Sequence, residues 1–462
     1  MACILCFTMN SKNHIIIVII ITFCFTATSE ASKSSWSEFY TLSNEGNDDA
    51  YRARVVCDSQ NNFHVVWKEK SNVLNAGSDW DLFYKYRMHH GEWSELTLIT
   101  TEFDSDAICL SVAIDSMDTL HLAWKDTSNV SNAGIDSDIF YTYKPYGTDW
   151  SDPILISNLS TGECSCPEII ADNKNTIHLT YADTSYDIDQ DSDADIMYTS
   201  KTMNGTWKKS VLVNKMSTKT SFGPHLGVDS KKNVHIVWYE KDEQNLDFDV
   251  FYATKNNNST IWSESILLSS TLTGSSVDPW IETDLKNTVH LIWMDNTNID
   301  NLGADYDIYY RYKRVNESWS PVECISQNSI SNCKWLGMTI DDNDVLYAAW
   351  SDETEIKNNG NDYDILMTYK SVNNDWSELI LVTNKSSYES NWPRFTVDKT
   401  GVIHMTWWDR TPERWITYYQ QGQIEINNQK VTTDSSSPLF ISTLLTMIAS
   451  LFILKKFKKN KR

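Results

Sequence analysis

From residue 50 onward, short runs of β-branched and aromatic residues alternate with clusters of Asn, Asp and Ser, with no trace of the three- and four-residue spacing of an amphipathic helix. Between residues 108 and 157 the runs ICLSVAID, LHLAWKD, DIFYTYK and WSDPILIS predict four strands of an antiparallel meander. The same order returns along the whole chain. A tryptophan followed by a small polar or basic residue stands at positions 36, 93, 150, 207, 262, 319 and 376, so the intervals are 57, 57, 57, 55, 57 and 57. The aromatic that closes the second run keeps step at Trp67, Trp124, Tyr181, Trp238, Trp293, Trp350 and Trp407. A period of this size marks a propeller or a solenoid, and four strands per repeat favour the propeller blade. Seven units predict an all-β, seven-bladed β-propeller of four-stranded antiparallel blades over residues 36–420. WSEFYTLS, residues 36–43, matches a fourth strand yet precedes any first one, whereas the last unit ends after its third run, WITYYQQ. The N-terminal strand is therefore expected to complete the last blade and close the ring, which removes open sheet edges.

Two apolar segments interrupt this regularity. IIIVIIITFCF, residues 15–25, follows Lys12 and precedes the small-residue stretch ATSEAS, the layout of a secretory signal peptide over residues 1–29. PLFISTLLTMIASLFIL, residues 438–454, carries no charge and runs directly into KKFKKNKR, residues 455–462. As a helix it would be about 25 Å long, enough for a thin bilayer, with the basic cluster cytoplasmic. The expectation is a single-pass type I protein of the cell membrane: propeller outside, polar linker at 421–437, transmembrane helix at 438–454 and a short basic tail. Glycosylation acceptor patterns beginning at Asn129, Asn158, Asn204, Asn257, Asn258, Asn316 and Asn384 agree with an outside location. So would a disulfide, for which Cys324 and Cys333, bracketing a short polar loop, are the nearest pair of suitable layout.

Charge narrows the partners. The whole chain carries a formal −23, but residues 30–437 hold 32 Lys plus Arg against 62 Asp plus Glu, so the ectodomain is more acidic still. Nucleic acid is excluded as a partner, since phosphate binding needs basic surface. Glycans, partner proteins of the cell surface and cations remain.

Repeated polar residues are expected to hold the fold. His64, His121, His178, His235, His290 and His404 open second strands, each six residues after an Asp across a tight turn, and predict a structural His–Asp hydrogen bond. Second strands end in Glu69, Asp126, Asp183, Glu240, Asp295, Asp352 or Asp409, and six third strands open with an Asp-x-Asp pair. Asx turns account for these acids in general. In the third unit, DIDQDSDAD sets Asp187, Asp189, Asp191, Asp193 and Asp195 at alternate positions, like the front half of a calcium loop without its turn glycine and distal Glu. With Asp183 they form the candidate metal set, with calcium as the expected ion.

The units, with their W-x-D and D-I-Y-Y runs, resemble the sialidase-like or BNR-type β-propellers of secreted and surface proteins over residues 36 to about 420. The turns MHHGEW, PYGTDW and VNNDW stand where that family carries Asp-boxes, and none is one. The resemblance implies three arginines for a carboxylate, a tyrosine nucleophile with a Glu partner, and an Asp acid. YRAR, residues 51–54, echoes the first arginine and Arg394 lies at the matching place of the last unit, but no other unit has an arginine there. Four residues before the repeated Asp, each first strand carries Arg54, Ser111, Glu168, His225, Trp280, Gly337 or Arg394. A position that changes chemistry from unit to unit among apolar neighbours is a candidate ligand site. Arg54, Glu168, His225, Trp280 and Arg394 are the expected ligand-binding residues, for a recognition or adhesion module that takes a glycan or a partner surface. The alternatives are a sialidase-like glycoside hydrolase using Glu168, and a structural envelope protein.

Overall fold

Every period of the sequence becomes one sheet. In the computed structural model, which describes residues 2–11, 14–23 and 34–426 apart from 186–192, 216, 242–246, 299–304, 328, 356–361 and 372–373, seven such sheets follow one another. Blade 1 comprises Ala50–Cys57, Phe63–Glu69, Asp81–Arg87 and Thr97–Leu98, hydrogen-bonded in that order. Blades 2 to 6 repeat the arrangement, their innermost strands being Ile108–Ile114, Cys164–Ala171, Ser221–Val228, Ser276–Thr283 and Cys333–Ile340. Innermost strands contact their neighbours in sequence, and that of blade 7, Glu389–Val397, returns to that of blade 1. The ring is closed.

Closure follows the predicted route. Trp415–Ile424, the third strand of blade 7, pairs with Ser34–Trp36 and then with Tyr40–Thr41, so the N-terminal segment supplies the fourth place. This last strand runs past residue 420, the expected boundary. Residues 425–462 form a separate unit, and the predicted transmembrane helix at 438–454 lies outside the described residues. Among the described residues no helix is long and apolar enough to cross a membrane. Ala2–Ser11 and His14–Phe23, in the segment expected to be a signal, pair as an antiparallel hairpin.

Aromatic residues lock blade to blade. In six of the seven blades the turn tryptophan meets edge-on a tyrosine of the blade before it: Trp150 on Tyr84, Trp207 on Tyr141, Trp262 on Tyr198, Trp319 on Tyr252, Trp376 on Tyr310 and, across the closure, Trp93 on Tyr419. Edge-to-face pairs of this kind add about 0.5–1.5 kcal/mol to the area they bury. The same tyrosines complete the expected His–Asp element. Each hydroxyl lies 2.7–2.8 Å from the Nδ1 of the blade's His, as in Tyr141–His121 and Tyr419–His404, while Nε2 faces the Asp. Only His404–Asp398, at 3.2 Å, is a hydrogen bond; the other five pairs stand 3.4–3.8 Å apart. Each Asp is instead committed to its turn, as Asp115 Oδ1 accepts the backbone N–H groups of Met117 and Thr119.

The expected disulfide is absent. Cys324 sits on the short outer strand of blade 5 and Cys333 opens the innermost strand of blade 6, and no disulfide joins the two. Cys333 lies 3.3 Å from Asp352, and burial, helped by that charge, pushes the thiol well up.

Candidate functional site

Strand pairing slips once in every innermost strand, at the same level. The register breaks between Tyr51 and Arg54 in blade 1, between Ser165 and Glu168 in blade 3, and at the corresponding place in each of the others. Such a bulge leaves an extra residue and re-aims its side chain. The residues concerned are Arg52, Cys109, Cys166, Gly223, Asp278, Trp335 and Trp392, with φ between 49° and 61°. Six of the seven are not glycine, although the left-handed region disfavours side chains. Backbone strain of this kind costs on the order of 1–3 kcal/mol per residue and gathers at functional sites. Here it turns a second ring of side chains toward the axis, above the ring predicted from the repeat.

The two rings enclose a funnel. Its mouth is a cavity of about 200 Å³ lined by Arg52, Cys109, Cys166, Asp278, Trp335 and Trp392 above and by Arg54, Glu168, His225, Trp280 and Arg394 below. The same five lower residues, all of those predicted from sequence, also cap a second cavity of about 220 Å³ that continues down the axis to Glu282. They form the waist of the channel. The expectation that only two arginines meet here needs correction: Arg52, two positions before Arg54, brings a third guanidinium. It stands two residues before the ring predicted from the register, at a level where no other blade carries a base.

Each guanidinium is held differently. Arg394 is buried, donates from Nη1 to the carbonyls of Leu336 and Pro393, and lies over the rings of Trp280 and Trp392 at 4.8 and 5.1 Å. Arg52 lies 4.6 Å over Trp392 and donates to Cys109 Sγ at 3.5 Å. Arg54 Nη1, Arg394 Nε and Arg52 Nε have no hydrogen-bond partner. Burial and then the facing Arg54 charge drive the Arg394 group well below its ordinary range, the sign of cations forced together. A guanidinium cannot relieve this by losing its proton.

The acids of the waist can. Burial raises Glu168 despite the attraction of Arg54, the Ser111 hydroxyl and Arg394, and it raises Asp278 as well. Glu282, deeper in the channel and hydrogen-bonded to Trp280 Nε1 at 3.4 Å, is pushed up to about 8. His225 stacks on Trp280 with ring centres 4.0 Å apart, accepts the Ile281 N–H at Nδ1, and turns Nε2 toward Glu168 Oε1 at 3.6 Å. Burial and the Arg54 and Arg394 charges keep its imidazole neutral. Each proton these acids take up makes the funnel more positive, in a chain that is strongly acidic elsewhere.

An aromatic belt extends the mouth outward over blades 6, 7 and 1. Trp392 contacts Trp335, Trp335 contacts Trp408, and Trp408 continues to Trp415, Tyr51 and Trp80 at ring-centre distances of 4.7–5.9 Å. Cations interleave with it: Lys68 lies 4.2 Å from the Tyr51 ring and 4.5 Å from Trp80, and Lys334 lies 4.0 Å from Tyr363.

The candidate metal set is elsewhere, on the rim of blade 3. Asp183 Oδ1 accepts from the Ser185 N–H and from the hydroxyls of Ser160 and Ser185, and Asp195 accepts from Asn214. Asp193 is described beside them, whereas Asp187, Asp189 and Asp191 lie outside the described residues. Among the described residues no group of three or more His, Cys, Asp or Glu side chains could hold a metal. In the other blades the second Asp of the Asp-x-Asp pair binds a hydroxyl that follows the outer strand, as in Thr100–Asp81 and Ser326–Asp307.

No protein-family model matches the sequence, and no curated protein matches it. Among solved structures the chain is similar to polysaccharide lyase Uly1, with a TM-score of 0.51 at 9% identity over 86% of this chain and 94% of that one. It is also similar to an ulvan lyase of polysaccharide lyase family PL25, with a TM-score of 0.51 at 12% identity over 82% and 97%. Trypanosoma rangeli sialidase in complex with sialic acid aligns with a TM-score of 0.46 at 9% identity, and this chain spans 58% of its length. The likeness establishes the propeller fold that the sialidase-like resemblance implied.

Proposed function

We propose that the axial funnel binds an acidic glycan, seating the carboxylate or sulfate of one sugar among Arg52, Arg54 and Arg394 and laying neighbouring units along the aromatic belt. The observation that carries this reading is the convergence of three guanidiniums, each with an unpartnered N–H, at one mouth of an otherwise acidic molecule. An anion there would satisfy those donors with charge-assisted bonds and relieve the crowding of like charges. Trp280, Trp335 and Trp392 offer flat apolar walls against which sugar faces can stack. Fold likeness supplies the frame alone; the lyases it includes act on polysaccharides, and the ligand class proposed here rests on the side chains. We place the propeller outside the cell, tethered through residues 438–454, where such glycans are encountered.

The test is calorimetric titration of the full chain with sulfated or uronate oligosaccharides and with uncharged ones of the same backbone. The charged series should bind and the uncharged series should not. Arg54→Gln should weaken binding by about tenfold or more, the worth of one charge-assisted hydrogen bond. Equal binding of both series, or an unchanged affinity in the variant, would overturn the reading. The facing of Glu168 and His225 favours a second reading, in which they act as an acid–base pair on the bound sugar. Release of new chain ends from an acidic polysaccharide, abolished in Glu168→Gln, would establish it.

A further inference from the structure

Cys109 and Cys166 take no part in the reading above, yet both stand at the mouth of the funnel. They occupy the bulge position of adjacent blades, with φ of 52° and 49°, so the same backbone device turns both thiols toward the axis. The two thiols interact with each other, and Arg52 Nη1 donates to the Cys109 sulfur at 3.5 Å. Cys57, Cys164 and Cys333 differ in kind: burial and nearby aspartates hold all three as inert thiols. A sulfur that accepts from a guanidinium and interacts with a second thiol, in an open cavity, has the surroundings of a reactive cysteine beside its resolving partner.

We propose that Cys109 and Cys166 are a dithiol that closes to an inter-blade disulfide by exchange with a small-molecule disulfide, and that closing it withdraws the sulfur acceptor that holds Arg52. In the first step the Cys109 thiolate attacks glutathione disulfide, forming a Cys109–glutathione bond and expelling one glutathione thiolate. In the second, Cys166 gives its proton to solvent and attacks the Cys109 sulfur, expelling the second glutathione. Two protein thiols are oxidised and one glutathione disulfide is reduced to two thiols. Arg52, with Nε already unpartnered, then gains a free Nη1 at the cavity mouth. The thiol chemistry stands whether or not the funnel takes an acidic glycan.

The neighbouring Cys166 thiol, with Arg52, outweighs burial and lowers the Cys109 thiol to about 5. Its alkylation rate should therefore be flat from pH 6 to 8, whereas an ordinary thiol speeds up about tenfold per unit below its own range. The experiment treats the reduced full-length chain with glutathione disulfide at pH 7, traps free thiols with iodoacetamide and maps peptides by mass spectrometry. The expected product is a single cross-link between the peptides of Cys109 and Cys166. Cys166→Ser should stop at the Cys109–glutathione adduct, and Cys109→Ser should leave Cys166 at least tenfold slower to react, with circular dichroism reporting the fold of each. Separate alkylation of both wild-type thiols after that treatment, or an adduct formed as fast on Cys166 alone, would overturn the proposal.

Discussion

Glu168 is the residue on which the chemistry of the funnel turns, because it is the waist acid that faces both Arg54 and His225. Its folded pKa is raised, so acidification neutralises it before an exposed carboxylate would respond. A bound anion then loses a repelling neighbour. Affinity for a sulfated oligosaccharide, which stays ionised throughout, should rise as pH falls from 7.5 to 5, and Glu168→Gln should bind at pH 7.5 as the native chain does at pH 5. Titration at both pH values checks this, and a variant that keeps the native pH dependence would show that another group is responsible. The five waist residues were legible because a fixed register exposes any position whose chemistry changes while its neighbours do not. Arg52, Cys109, Cys166 and Asp278 were not. They sit one bulge earlier, and neither spacing nor residue type announces that a strand will slip, since six of the seven bulge positions carry side chains that ordinarily avoid a positive φ. The signal that could have found them was the same register read two residues upstream.

At the scale of the element, the blade shows why the fold was legible and its polar skeleton only half so. Strand order, turn tryptophans and the closing segment all follow from alternation and period. His–Asp pairing was also foreseen, but the tyrosine that serves the other face of each His comes from the third strand, 15 to 20 residues on, where it looks like ordinary core. Closure itself depends on one small residue. Trp36 pairs with Gly422, and a Cβ there would lie 2.2 Å from the Trp36 ring, closer than any real contact. The corresponding pair of blade 1, Trp93 and Arg87, carries a full side chain. Gly422→Ala should therefore push Trp36 off the sheet and loosen only the seam between the chain ends, at a cost of about 1–3 kcal/mol. Hydrogen exchange should show lost protection confined to residues 34–41 and 415–424. Uniform loss over all blades would mean the ring, rather than the seam, carries the strain.

For the whole molecule, the acid surplus sets how stability varies with pH. One set of carboxyls is raised by burial: Asp81 to about 7, and Asp126, Asp138, Asp307 and Asp409 to about 6, joined by Glu69, Glu168, Glu240, Asp278 and Glu282. These groups bind protons more tightly folded than unfolded, so their contribution is complete below about pH 4 and is lost as pH rises through about 6 to 8. His121, His178 and His225 act the other way, because burial lowers them and unfolding lets them charge below about pH 6.5. The turn aspartates Asp58, Asp115, Asp172, Asp229, Asp284 and Asp398 are also lowered: burial opposes their charge, but the histidine and the turn N–H groups outweigh it. Their contribution is present above about pH 4 and fails below it. Between pH 7 and 5 the raised carboxyls outnumber the imidazoles, and each can change stability by at most about 1.4 kcal/mol per pH unit. The melting temperature should therefore climb on acidification from pH 7.5 to about 5 and collapse below 4, where the turns lose their anchors. Asp81→Asn, which removes the strongest of the raised carboxyls that bond the hydroxyl after an outer strand, should flatten the climb without moving the collapse. Thermal melting of both chains across that range decides it: a melting temperature that falls steadily from pH 7.5 to 5 would mean that imidazole charging, and not the release of buried carboxylate charge, governs the ring.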